Sequence, residues 1–296
     1  MRILNFKKMG NAFLCVIPLL GASPAALAEW VGNTDVSIRH DSNINNAQIS
    51  DSVVGVTALN AGGSATGFFP LENGNSLSIT GESRGEAFNH YTGLNNLSLG
   101  ATLAYRKKWA LGAYAPWTGL SLSSARLDFA NNIRNGWRNQ IALRGGKRVL
   151  ERWDVRAEYM AERRTANTLL PDQSGISGDV FSQTSRAITF NAEYTWSDSL
   201  FLTFGSLLRH GDVLASTRET TKIISSSKAI AVDPVFGTGF YAYRMNGTTY
   251  GLNADMSFAL TSSSLLRAST SRQLTRTEGD NNYAKSVQMF FWNYNF

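Results

Sequence analysis

From about residue 34 onward, apolar and polar side chains alternate along this chain with a period of two. Leu97, Leu99, Ala101, Leu103 and Tyr105 share one parity, and Ser98, Gly100, Thr102, Ala104 and Arg106 take the other. Trp153, Val155, Ala157, Tyr159 and Ala161 oppose Arg152, Asp154, Arg156, Glu158 and Glu162. Ile188, Phe190, Ala192, Tyr194 and Trp196 oppose Thr189, Asn191, Glu193 and Thr195. A strand sorts alternate residues onto two faces, whereas a helix would spread them around its circumference. Twelve segments read this way, near 34–41, 52–69, 76–90, 96–109, 117–129, 136–148, 152–165, 184–197, 199–213, 246–260, 264–276 and 285–296. The connections between them alternate short and long.

Two stretches need extra devices. Leu120 and Leu122 have one parity while Leu127 and Phe129 have the other, so a bulge is expected near Ser124. Val235 to Met245 is apolar and aromatic, but Gly237, Gly239 and Asn246-Gly247 punctuate it. It reads as a loop folded over or into a mouth; read as one more hairpin it would raise the count to fourteen.

Two-faced strands suit a soluble sandwich as well as a membrane barrel, with the apolar face inward in the first and outward in the second. The ends of the chain choose between them. Arg2, Lys7 and Lys8 precede an apolar run from Ala12 to Ala22, and Ala26-Leu27-Ala28 stands before Glu29. This is the layout of a secretory signal peptide over residues 1–28, with a run far short of the roughly 20 residues a spanning helix needs. The single cysteine, Cys15, lies inside it, so an exported chain would carry no disulfide. At the other end Phe290, Trp292, Tyr294 and Phe296 share one parity. Trp30, Trp109, Trp117, Trp153, Trp196 and Trp292 all fall near strand ends on the side of the short turns, as an interfacial aromatic belt would place them. The expected fold is an all-β, transmembrane antiparallel β-barrel of about twelve strands over residues 29–296, with short turns in the periplasm and long loops outside.

The alternating aromatics with a terminal Phe resemble the assembly signal of bacterial outer-membrane barrels. That resemblance implies location in the bacterial outer membrane, contact with its lipid and lipopolysaccharide, and recognition by the barrel assembly machinery. A second segment, Arg39-His40-Asp41-Ser42-Asn43-Ile44-Asn45-Asn46-Ala47, is similar to one found early in the barrels of surface lipoprotein assembly modifiers and in outer-membrane proteins of exopolysaccharide export clusters.

Charge then narrows the function. The formal net charge is +6; without Arg2, Lys7 and Lys8 the chain carries 25 basic against 22 acidic residues, in no block of the kind that tracks nucleic acid. The polar faces of the strands collect eleven arginines and eight carboxylates, with no lysine. In one reading Arg138, Arg144, Arg148, Arg152, Arg156 and Arg164 line a narrow porin-like path for polar or anionic solutes. In another, arginines pair with Glu158, Glu162, Glu82 and Glu86 and fill a closed structural, assembly or export-associated barrel, because unpaired buried charge is costly. A third places a hydrolase at the rim, where His40, His90 and His210 are the available bases. No residue spacing points to a metal or a cofactor.

Overall fold

A computed structural model describes residues 29–173, 175–218, 221–278 and 280–296. The expected signal peptide lies outside them. The strands are β1 (Glu29–Asp41), β2 (Val56–Pro70), β3 (Asn75–Phe88), β4 (Asn96–Lys108), β5 (Trp117–Phe129), β6 (Gly136–Leu150), β7 (Trp153–Ala166), β8 (Leu170–Gln173), β9 (Ile176–Gly178), β10 (Gln183–Thr195), β11 (Leu200–Arg218), β12 (Ala229–Val232), β13 (Phe240–Ala259), β14 (Ser264–Thr277) and β15 (Tyr283–Asn295), with one short helix, α1 (Thr221–Ser226).

Twelve of these strands form a closed antiparallel ring. It runs β1 to β7, then β10, β11, β13, β14 and β15, and closes where β15 pairs with β1. Within the apolar band each wall strand follows the alternation of its own sequence. Leu99, Leu103, Leu143, Ile188, Phe204 and Leu252 all stand exposed on the outer face, with Leu252 69% accessible. Among the described residues no helix is long and apolar enough to cross a membrane. The strands do so instead, because a closed ring satisfies every backbone donor and acceptor within the sheet.

The seam shows how the terminal residues serve this closure. Phe296 and Gly32 exchange backbone hydrogen bonds, each 2.9 Å. The Phe296 ring lies on Gly32 so closely that a Cβ there would sit 2.3 Å from it. Tyr294 stacks between Trp292 and Phe296, with ring centroids 6.3 and 6.4 Å away. The four terminal aromatics, Phe290, Trp292, Tyr294 and Phe296, all face outward and exposed.

Three expectations are corrected. β5 pairs with β4 and β6 without a register shift, so there is no bulge near Ser124. Instead Leu127 faces inward with Ala125, while Arg126 and Asp128 face outward and pair at 2.9 Å. The strand simply continues beyond the apolar band, where parity no longer tracks hydrophobicity. Trp117 is not part of an outer belt: it points into the bore over Gly146, and the Arg106 guanidinium stacks on it at 4.5 Å. Arg152 belongs to the turn between β6 and β7 and is not on the wall.

The buried apolar core of this molecule is not inside the ring but at its long-loop end. β11 and β13 project past their neighbours as a two-stranded ribbon. Pairing with β10 ends at Gly211 and pairing with β14 ends at Gly247, and these glycines face each other. Gly211 has φ +137°, a conformation L side chains rarely adopt, so this pair marks where the ribbon leaves the wall. Beyond it Ala215, Ala242, Tyr243 and Met245 are fully buried, and β12 lies along β13 where β14 has stopped. Thus part of 235–245 extends a wall strand, the rest is loop, and the ring keeps twelve strands.

Candidate functional site: the lumen and its cap

The bore holds two large spaces. A cavity of about 960 Å³ occupies the half nearer the short turns, walled by residues such as Ser78, Arg144, Glu158, Asn191 and Glu193. A second, of about 500 Å³, lies beneath the long loops, beside Arg138, Glu162, Arg164, Arg209 and Lys285.

In the first space most charges are matched, Arg106 on the Trp117 ring being the exception. Arg144 and Glu158 face each other across β6 and β7 and form an ion pair; Arg148 and Asp154 do the same at 3.2 Å. Arg156 lies 3.6 Å from Glu193 on β10. On the opposite wall Arg84 reaches Asp35 at 2.9 Å across β2, where Gly62 leaves room for its side chain; higher up, Arg39 pairs with Glu86 beside the second space. These pairs run along the wall, from one strand to the next or across one narrow strand. They leave the centre open, and of the four carboxylates expected to pair in a filled barrel Glu158 and Glu86 do so, while Glu162 bonds Gln140 and Glu82 forms no ion pair among the described residues.

The second space breaks the pattern. Arg138 and Arg164 are directly opposite each other on β6 and β7. Like charges in that relation repel. Glu162, the nearest carboxylate in sequence, accepts a hydrogen bond from Gln140 at 2.6 Å. Arg164 donates to the carbonyl of Arg134 at 2.7 Å and lies 5.2 Å from the Phe129 ring, but its Nε–H is buried without a partner. Neither Arg138 nor Arg164 has a carboxylate within ion-pair distance among the described residues.

Above this space the loops form a cap. The tip of the β11–β13 connection, Pro234-Val235-Phe236, crosses the mouth to the far wall. Phe236 packs on Tyr91, centroids 5.3 Å apart, and on Phe88 of β3, which is six strands from β11 in either direction round the ring. Asp233, with 0% accessibility, receives Arg134 Nη2 and Ser216 Oγ, both at 2.5 Å, and caps the turn by accepting from Val235 N–H. The Arg134 guanidinium also stands 4.7 Å over the Phe181 ring.

The Asp-Ser-Asn-Ile-Asn-Asn-Ala segment is the other half of the cap. Asn45 donates to the carbonyls of Ser52 and Ser216 at 2.6 and 2.7 Å and accepts from Val54 N–H at 2.9 Å. Asn46, at φ 55°, donates to Leu214 O, while its own carbonyl accepts from Asn281. Short amides that tolerate left-handed backbone thereby hold this loop to the ribbon and to the β14–β15 loop. Sequence reading singled out the segment but not this role, and it missed Arg134 and Asp233 because both sit in loops without periodicity.

The rim histidines are not assembled with acids. His40 faces outward and meets Thr57 Oγ1 at 3.1 Å, while the adjacent Asp41 faces inward toward Lys285 and Asn43 N–H. His210 meets Thr248 Oγ1 at 3.0 Å, whereas Asp212 accepts from Thr184 and Lys228.

The architecture is that of a transmembrane antiparallel barrel of the bacterial outer-membrane kind. No family profile and no curated protein sequence matches the chain. Solved structures do. An outer-membrane channel from Pseudomonas putida F1 superposes with a TM-score of 0.56 at 12% identity, over 95% of this chain and 100% of that one. The NanC porin gives a TM-score of 0.45 at 9% identity, over 88% and 98%. An anion-selective porin from Comamonas acidovorans gives 0.41 at 7%, over 92% and 100%. The Pseudomonas channel carries the fold comparison.

Proposed function

We propose that this barrel resides in the bacterial outer membrane, with its short turns in the periplasm, and is a narrow channel for small polar solutes, anions above all. Its external mouth is closed at rest by the cap. The observation that carries the reading is the Arg138–Arg164 pair beside the upper cavity, neither within ion-pair distance of a carboxylate, in a lumen where Arg39, Arg84, Arg144, Arg148 and Arg156 are each paired with one. Fixed positive charge at a constriction favours anions, and guanidinium groups suit carboxylate or phosphate. Arg144, Arg148 and Arg156 with Glu158 shape the wall, Glu162 tempers the constriction, and Arg152 stands at the entrance. The Pseudomonas barrel of the same fold is itself an outer-membrane channel.

Planar-bilayer recording tests this. Under a salt gradient the wild type should show a reversal potential of anion-selective sign, and Arg138→Ala with Arg164→Ala should move the permeability ratio toward unity. A cation preference in the wild type, or an unchanged ratio in the double variant, contradicts it. A second reading, a closed barrel serving assembly or export, is favoured by the cap alone. It requires that loosening the cap admit no current. The resemblance of the Asn-rich segment to lipoprotein-modifier and polysaccharide-cluster barrels fits that reading.

A further inference from the structure

The outer surface carries a feature that conduction does not use. At the long-loop ends of their strands, Arg126, Arg163, Arg186, His210 and Arg276 all face outward, one pleat above the apolar band. The register sets Arg163 to Arg276 along one row, while Arg126 stands one strand apart, beyond Trp137 of β6. Arg163 is diagonal to Arg186 across β7 and β10, Arg186 is directly opposite His210, and Thr248 bridges His210 to Arg276. Diagonal neighbours stand about 7–8 Å apart, within reach of one phosphate group. Arg163, Arg186 and Arg276 are exposed and have no ion-pair partner among the described residues; only Arg126 is matched, by Asp128. The short-turn end is different: there the outward residues include Trp30, Trp109, Trp196, Trp292 and Tyr294, with Lys107 lying over the Trp109 ring.

Arg163 also ends an apolar groove of about 650 Å³ on the lipid-facing side. The groove starts at Ile79, low on β3, and passes Leu103, Leu122 and Ile141 before reaching Asn139 and Arg163, high on β6 and β7. It follows the hydrogen-bonding direction, and because barrel strands tilt by about 35–45°, this path climbs toward the long-loop end.

We infer that the groove and the arginine row together bind a phosphorylated, multiply acylated lipid of the external leaflet, of lipid A chemistry. An acyl chain lies along the groove, and phosphate oxygens accept hydrogen bonds from Arg163 and Arg186. Guanidinium pairs with phosphate in bidentate fashion, and an apolar channel under a charged rim fits a molecule with a phosphorylated head and hydrocarbon tails. This assignment rests on the outward orientation of the long loops proposed above, not on conduction.

Native mass spectrometry of the delipidated, detergent-purified barrel titrated with lipid A reads it. The wild type should retain lipid A in preference to its dephosphorylated form and to phosphatidylglycerol. Arg163→Ala with Arg186→Ala should weaken retention about thirtyfold, since each cation near an anionic lipid contributes comparably. Ala161→Leu, which fills the groove without touching charge, should weaken it too. Heat-modifiable gel migration reports folding of each variant, and the wild-type comparison of phosphorylated with dephosphorylated lipid needs no variant. Equal retention of those two lipids, or undiminished retention by a folded double variant, overturns the assignment. Membrane fractionation with surface proteolysis checks the orientation separately.

Discussion

Single residues decide where this barrel is tight. Asp233 is buried with one arginine, one hydroxyl and the Val235 N–H as its partners, so removing its charge strands Arg134 inside the cap. Breaking one side of a buried pair costs about 3–5 kcal/mol. Asp233→Asn should therefore loosen the cap while leaving the ring intact: proteolysis within residues 221–239 should accelerate, single-channel current should rise, and the heat-modifiable gel shift should stay unchanged. At the seam, Gly32 is defined by the ring above it. Gly32→Ala should displace Phe296 at about 1–3 kcal/mol, the usual range for overpacking, and lower the urea midpoint of refolding into vesicles. The inward arginines were legible from parity. Which of them lack a partner was not, because pairing depends on the residue two strands away: Arg84 reaches Asp35 only because Gly62 lies between them.

At the scale of elements, the sequence revealed the wall and hid the cap. Wall strands touch lipid on one face and water on the other, so every second residue reports its side; all twelve ring strands were readable, most with ends within a few residues. The β11–β13 ribbon past Gly211 and Gly247 is buried on both faces, as Ala215, Ser216 and Thr217 in succession show. Where both faces are buried, alternation vanishes, and 235–245 read as a loop although half of it is strand. The Asn-rich loop illustrates the same limit: its composition announced a turn, but its bonds run to residues more than 160 positions away. Asn45→Ala removes three side-chain bonds, two within the loop and one to Ser216 of the ribbon. Hydrogen exchange should then speed at the amides of Val54 and Ser216, with the β3–β4 ladder protected as before; uniform loss of protection would mean that the loop supports the whole ring.

For the whole molecule, the distribution of burial is inverted relative to a soluble protein: three apolar clusters lie in the cap, and the leucine rows of the wall face outward. This inversion joins the lipid-facing aromatic end, the outer arginine row and the charged bore into one account. Since Cys15 is the only cysteine, introduced thiols report cleanly once it is absent. Adjacent positions give the sharpest test: Ser78, Ala104 and Asn191 line the lower cavity, while Ile79, Leu103 and Phe190 stand on the outer face. In lipid vesicles, a membrane-impermeant maleimide should label Ser78→Cys, Ala104→Cys and Asn191→Cys, and should spare Ile79→Cys, Leu103→Cys and Phe190→Cys. Labelling of both sets alike, or of the second set alone, would contradict it.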